Sequence, residues 1–223
     1  MSNSGLVVRR LARVVLVAGV LAGLSGCVAV LVGGAVGTAV SMSDRRTLGS
    51  QTEDTSIELK GANLISNVFG DAVHVNVDSY NRKVLLTGQV KDEATKAKVE
   101  TQIKSVDNVI SVVNEITVSL FQTTFSERSN DAYISTRVRS ALIGTADIYS
   151  SSFKVVTENG VVYLMGRVSQ REGTTGADAA RGIPGVAKVV KVFEYIDESD
   201  VKKYVAKPPE DTNAASSNVT TPN

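Results

Sequence analysis

Few residues of this 223-residue chain have the types and spacing that chemistry requires, because it contains one cysteine, one histidine and no tryptophan. One cysteine cannot close an internal disulfide, and one histidine without a second cysteine argues against a structural zinc site. No Ser/His/Asp set, paired carboxylate spacing or phosphate-cradling glycine loop occurs in the sequence. We therefore expect neither an enzyme nor a cofactor, and we expect His74 to be a surface imidazole.

The cysteine, Cys27, ends a segment with the features of an export signal. Three arginines at positions 9, 10 and 13 precede an apolar run from Val14 to Leu24, and the sequence Leu-Ser-Gly-Cys follows at 24–27. This order resembles a bacterial lipobox, in which the cysteine is acylated and becomes the first residue after cleavage. It predicts a lipoprotein signal peptide over 1–26, acyl chains (palmitate among them) on Cys27, and a lipidated tether over 27–52. The alternative is a buried cysteine behind an uncleaved leader.

Cleavage there would change the charge of the chain. The net charge is +1, and the leader contains three arginines and no acidic residue, so the mature chain would carry −2. No basic excess would remain to bind phosphate backbones, so we expect no nucleic-acid partner. Val28 follows the cysteine. By resemblance to enterobacterial lipoproteins, the absence of Asp at that position implies the outer membrane, with the protein facing the periplasm.

The second group of residues that could bind a ligand lies on a predicted helix after Ser129. Asn130 or Asp131 is the expected N-cap. Tyr133, Arg137 and Ser140 follow on one side of the helix. An exposed aromatic ring beside an arginine is typical of a membrane-interface contact. Alternatively, Tyr133 packs against the first module, which precedes this helix in the chain. The adjacent side is apolar and should pack on a sheet, through Ile134, Val138, Ala141 and Leu142.

The elements that position this helix are predicted by an internal repeat. The segment Val-Leu-Leu-Thr-Gly-Gln-Val at 84–90 recurs as Val-Tyr-Leu-Met-Gly-Arg-Val at 162–168. Both segments alternate as half-buried strands, and Gly88 and Gly166 indicate close approach of another backbone or side chain. Because the repeat extends to the flanking residues, it predicts two modules. Domains of this size bury too little surface to be stable alone, so each module should lean on its neighbour or on a flanking segment.

Each module reads helix, strand, strand, helix, strand, which predicts an α+β fold with a three-stranded mixed sheet and two helices on one face. The helix of the first module should run from about Ser56, with Asp54 or Thr55 as its N-cap. Asn159-Gly160 predicts a type I′ hairpin turn. Ser169 to Glu172 reads as a capping box, followed by a helix that Gly173 and Gly176 should shorten or distort. The expected domains are residues 53–118 and 130–196, joined by a linker over 119–129 and followed by a disordered tail over 197–223.

This order of elements, with the Val-x-Leu-x-Gly-x-Val strand, resembles the BON domain, twice over. The lipobox, the pattern Asp44-x-Arg46-Thr47-x-Gly49-x-Gln51 and the stretch 129–140 resemble outer-membrane lipoproteins with two BON domains. The resemblance implies binding of anionic phospholipid, notably phosphatidylglycerol, through the first helix of the second domain. Tyr133 stands where that family often has tryptophan. The implied contact residues are Asn130, Tyr133, Arg137 and Ser140.

The same resemblance implies support of envelope integrity at the division site, with links to amidase regulation and to outer-membrane protein assembly. The alternative function is a periplasmic scaffold, in which the Tyr133 side of the helix holds a protein of envelope assembly or of septal peptidoglycan remodelling.

Overall fold

The computed structural model describes residues 44–120 and 123–204, and these contain the two modules. The first module consists of α1 (Leu48–Phe69), a 3₁₀ turn (Gly70–Ala72), β1 (His74–Tyr80), β2 (Lys83–Val90), α2 (Glu93–Lys104), β3 (Ser111–Asn114) and β4 (Thr117–Val118). The second consists of α3 (Phe125–Gly144), a 3₁₀ turn (Ser150–Ser152), β5 (Phe153–Glu158), β6 (Val161–Val168), α4 (Gln170–Arg181) and β7 (Lys188–Tyr195), and is followed by α5 (Glu198–Lys203). The predicted α+β order is therefore confirmed in both modules.

Each sheet is mixed, as the sequence predicts. β1 pairs with β2 antiparallel and β2 with β3 parallel, and the same pattern joins β5, β6 and β7. The third strand of the first module is interrupted, however. The side-chain oxygen of Asn114 accepts a hydrogen bond from the N–H of Ile116 (3.2 Å), and the strand resumes only at Thr117, still beside β2. The interruption places the Ile116 side chain in the core.

The alternating strand residues divide between two environments. In β2, Val84, Leu86 and Val90 pack against α1 and α2, whereas Leu85 faces the other way. In β6, Val162, Leu164 and Val168 pack against the helices of the second module in the same manner, while Tyr163 and Met165 face away. Both central strands are thus buried on both faces.

The helix-free faces of the two sheets pack on one another. Tyr80 and Leu85 of the first sheet form one apolar cluster with Tyr163, Met165 and Val192 of the second. Burial raises the pKa of both tyrosines to about 12, with Asp44 adding to the shift at Tyr80 and Glu115 at Tyr163. Both hydroxyls therefore stay neutral at physiological pH. Each module leans on its neighbour, as its small size predicts.

Polar contacts surround this apolar cluster and fix how the sheets are aligned. The Gln89 amide donates to the Glu158 carboxylate (2.6 Å), and the Asn81 amide donates to Glu194 (2.6 Å). Lys154 of the second module forms ion pairs with Glu58 and Asp78 of the first.

The two strand glycines make the close approaches that the repeat predicts. A Cβ atom at Gly88 would lie 2.0 Å from the carbonyl oxygen of His74, and one at Gly166 would lie 2.4 Å from that of Ser152. Gly88 also has φ +110°, which side chains rarely adopt. The hairpin turn is confirmed as well, because Asn159 and Gly160 have φ values of 49° and 72°.

Several predicted element boundaries are wrong because the N-caps lie earlier in the chain. α1 begins at Leu48, inside the segment assigned to the tether, because the Thr47 side chain accepts from the N–H of Ser50. α3 begins at Phe125, inside the expected linker, because Thr124 and Glu127 form a capping box. Asn130 and Asp131 are therefore not N-caps.

Two expectations about the second half of the chain also change. α4 is continuous through Gly173 and Gly176, because each glycine lets an aromatic ring approach the helix: Phe193 at the first and Phe153 at the second. The tail begins with α5 over 198–203, within the expected disordered segment. The leader with Cys27 and residues 205–223 lie outside the described residues. No helix that the structure describes is long and apolar enough to cross a bilayer.

Candidate functional site

α3 is held on the second module by one apolar side and by its cap. Ile134, Val138 and Leu142 are at most 1% exposed and pack on the sheet. At the N-terminus the Thr124 hydroxyl accepts from the N–H of Glu127, while the Glu127 carboxylate accepts from the N–H of Thr124. The helix therefore presents its opposite side to solvent over about 30 Å, at ~1.5 Å per residue.

That solvent side carries the aromatic residue and the arginine that the sequence singled out. Tyr133 is 58% exposed, so the alternative in which it packs against the first module is wrong. The guanidinium carbon of Arg137 lies 5.7 Å from the centre of its ring, and Arg137 Nη1 donates to the Tyr133 hydroxyl at 3.2 Å. The pair is pre-formed: the ring and the cation are held together one turn apart.

The other two candidate residues have different surroundings. The Ser140 hydroxyl is exposed near Tyr133, but it donates to the carbonyl of Thr136 (3.0 Å) and keeps only acceptor capacity for a ligand. Asn130 is also exposed, and it lines a cleft of about 660 Å³ between the start of α3 and the hairpin turn at Asn159. The structure thus places Tyr133, Arg137 and Ser140 together and Asn130 at the cleft.

Two further apolar side chains extend the exposed side of α3. Phe125 is 80% exposed and Ile143 is 73% exposed. They are separated by five turns of about 3.6 residues each, so they project from the same side at opposite ends of the helix. Exposed large apolar residues in one row indicate a contact surface more strongly than scattered ones do.

The charges on α3 are unequal. Of its two carboxylates, Asp131 is buried beneath the hairpin turn, and Glu127 is exposed but engaged in the N-terminal cap. Three arginines, by contrast, are exposed on this helix: Arg128, Arg137 and Arg139. The exposed side of α3 therefore combines apolar side chains with arginines. Such a helix side is suited to bind a layer that is apolar inside and negatively charged at its edge.

Residues 61–119 and residues 130–197 each match the BON domain family model. The chain belongs to the BON-domain family. It is 38% identical over 179 residues to the outer membrane lipoprotein DolP of Haemophilus influenzae, covering 78% of this chain and 91% of that one. It is 31% identical over 155 residues to a 21 kDa hemolysin of Actinobacillus pleuropneumoniae, covering 69% of this chain and 79% of that one. The chain is thus a BON-domain protein related to an outer membrane lipoprotein.

In each BON domain the first helix carries a buried aspartate that sequence reasoning assigned to a cap. Asp131 accepts from the N–H groups of Asn159 and Gly160, both at 2.8 Å. Asp54 accepts from the N–H groups of Asn81 and Arg82 in the first domain, both at 2.7 Å. Each carboxylate satisfies the exposed donors of a hairpin turn. A signal was available, because each aspartate stands three residues before a buried isoleucine of its helix, at Ile57 and Ile134.

The segment before α1 makes contacts that no local pattern indicated. The Arg46 guanidinium pairs with Asp44 and Asp54 at 2.8 Å and lies 4.1 Å from the centre of the Tyr80 ring. Burial lowers the pKa of Arg46, but its hydrogen bonds to Asp44 and Asp54 raise it by more, so the group stays charged. Among the described residues, no cluster of His, Cys, Asp and Glu is arranged to hold a metal ion.

Proposed function

We propose that this protein is an outer-membrane lipoprotein, anchored through Cys27 and facing the periplasm, whose second BON domain docks on anionic phospholipid through α3. The observation that carries this proposal is the exposed side of α3, where Tyr133 and Arg137 are held together and no carboxylate of the described residues pairs with Arg137. The similarity to an outer membrane lipoprotein supports the anchor and the compartment.

The chemistry of the side chains fits a lipid headgroup layer. A tyrosine ring is apolar at its body and polar at its hydroxyl, and such rings concentrate at the boundary between acyl chains and water. The guanidinium of Arg137 keeps further N–H donors that can bind phosphate oxygens in pairs. Phe125 and Ile143 add apolar area at the two ends, so the helix can lie along the membrane surface.

The lipid anchor and α3 have different roles at the membrane. A single acyl chain binds a bilayer marginally, whereas two or more anchor a protein stably. Membrane attachment would therefore come from Cys27, and α3 would decide which lipids the domains rest on. An anionic surface rich in phosphatidylglycerol is the surface we propose, and enrichment at the division site with support of envelope integrity is the role we propose for that preference.

A tryptophan at position 133 gives a direct test, because the chain contains no tryptophan of its own. The full acylated chain with Tyr133→Trp would be reconstituted into phosphatidylcholine vesicles with and without phosphatidylglycerol. We expect blue-shifted emission, and quenching by brominated lipid, only when phosphatidylglycerol is present. A matched control is Tyr195→Trp, since Tyr195 is 49% exposed on β7 and away from α3.

Reversing the charge at Arg137 distinguishes docking on lipid from exposure of the ring at position 133 to solvent. Arg137→Glu in the Tyr133→Trp background should abolish both the blue shift and the quenching, and added salt should weaken them in the parent chain. Equal signals in both vesicle types would contradict the preference for anionic lipid. Photocrosslinks from position 133 to envelope proteins instead of lipid would favour the scaffold function.

A further inference from the structure

A cavity of about 380 Å³ opens beside the C-terminal end of α3, next to the exposed side described above. Leu142, Phe153 and Val155 line it but are at most 9% exposed, whereas Ile143, which also lines it, is 73% exposed. Its size falls within the roughly 300–1,000 Å³ of small-molecule sites. Because Ile143 belongs to the exposed side of α3, a ligand with an apolar part can contact the cavity from that side of the helix.

Three cations line this cavity, and no carboxylate does: Arg46, Arg139 and Lys154. Two of the three are neutralised nearby. Arg46 pairs with Asp44 and Asp54, and Lys154 pairs with Glu58 and Asp78. Neither is therefore a strong attractor for a further anion.

Arg139 differs from the other two cations. Its Nη2 donates to the carbonyl of Val155 at 3.1 Å, and within residues 44–120 and 123–204 no carboxylate pairs with it. The bond to Val155 holds the guanidinium at the edge of β5, with its remaining donors unused by any acid. A guanidinium fixed in this way is suited to bind a phosphate through two parallel hydrogen bonds.

We propose that this cavity binds the headgroup of one anionic phospholipid molecule, with its phosphate on Arg139 and its glycerol and upper acyl chain against Ile143. This rests on the proposed function and adds to it a single-molecule site distinct from the Tyr133–Arg137 surface. The last carbonyls of α3 carry partial negative charge and oppose an anion. The site therefore depends on the arginine.

Native mass spectrometry of the full chain, purified in detergent with added phosphatidylglycerol, tests the site without a bilayer. We expect one phosphatidylglycerol to remain bound to the parent chain. Arg139→Gln should reduce that bound fraction about tenfold, as for loss of one charge-assisted hydrogen-bonded pair. Arg128→Gln is the matched control, because Arg128 is exposed on the same helix and does not line the cavity. It should retain the lipid.

Two further measurements distinguish lipid binding in the cavity from docking through the Tyr133–Arg137 surface and from binding of a free phosphate compound. Tyr133→Ser should abolish docking on vesicles but leave the bound lipid in detergent. Glycerol 3-phosphate at millimolar concentration should fail to displace the lipid, since it lacks the acyl part. Retention of lipid by Arg139→Gln, its absence from the parent chain, or its displacement by glycerol 3-phosphate would each overturn the proposal. None of these outcomes would affect the vesicle result, which tests the surface separately. Circular dichroism of each variant checks that it is folded.

Discussion

The guanidinium of Arg45 and the carboxylate of Glu172 form a two-bonded ion pair, with Nη1–Oε2 at 2.7 Å and Nη2–Oε1 at 2.6 Å. Both side chains are 1% exposed. Arg45 precedes α1, whereas Glu172 stands in the first turn of α4 in the second BON domain and also accepts from the N–H of Ser169. The pair joins the end of the proposed tether to the second domain, so the segment at residue 45 is part of the folded unit.

Removal of Arg45 should destabilise the protein strongly. Arg45→Met would leave the Glu172 carboxylate buried without its cation, which costs about 3–5 kcal/mol. The measurement is the free energy of unfolding by denaturant. Arg171→Met is the control, since its pair with Glu198 is about half exposed on each side, and such exposed pairs contribute little to stability. Similar losses of unfolding free energy in the two variants would show that burial of the Arg45–Glu172 pair does not increase its contribution.

The same carboxylate should make stability depend on acid. Burial alone would raise the pKa of Glu172, but the hydrogen bonds from Arg45 and from the Ser169 N–H outweigh it and lower the pKa below its ordinary value of 4.5. A lowered folded-state pKa contributes stability that is present above about pH 4.5 and is lost as the pH falls through the folded pKa. Glu172→Gln should therefore flatten this part of the acid limb. Denaturant unfolding from about pH 7 down to about pH 3 measures the difference, and an unchanged slope would show that Glu172 is not its source.

The buried aspartates under the hairpin turns should each hold a turn closed. Asp131→Asn leaves one carbonyl oxygen to accept from the two N–H groups of Asn159 and Gly160, and turns an amide donor toward them. We expect a loss of about 1–3 kcal/mol, the cost of an unsatisfied buried donor. Hydrogen exchange at the Gly160 amide should accelerate with it. Asp54→Asn should cost more, because Asp54 also accepts from the Ser79 hydroxyl and pairs with Arg46.

Local patterns and the internal repeat were enough to predict the strands, the turn at Asn159-Gly160 and the strand glycines, because each depends on residues close in sequence. The repeat also located Tyr133 and Arg137 on the first helix of the second domain. The start of α1 was missed because an acceptable cap at Asp54 or Thr55 hid the earlier one at Thr47. The pairs Arg45–Glu172 and Lys154–Glu58 join residues far apart in the chain, and no periodicity encodes such contacts. Arg139 lacked a signal too, since an exposed helical arginine ordinarily faces only solvent.

Side chains at the strand glycines should not be tolerated. In Gly88→Val the Cβ atom would lie 2.0 Å from the carbonyl oxygen of His74, and in Gly166→Val it would lie 2.4 Å from that of Ser152. We expect each to lower the free energy of unfolding by about 1–3 kcal/mol or more, as for overpacking. Gly88 should be the worse site, because its positive φ adds strain. Gly144→Ala is a control, since nothing lies within 4 Å of a Cβ there. Thermal melting equal to that of the parent chain would rule out the close contacts.

The apolar cluster between the sheets should make the two BON domains unfold together. Leu85 is fully buried and packs with Tyr163 and Met165 of the other domain, so Leu85→Ala should cost about 2–5 kcal/mol. Because the cluster is shared, we expect the amides of β6 to lose exchange protection along with those of β2. Val99→Ala is a useful comparison: Val99 is equally buried but lies in the helix-side core of the first domain. If the sheets stabilise one another, both changes lower protection in the second domain. Protection of β6 unchanged in Leu85→Ala would mean that the second domain is stable without the first.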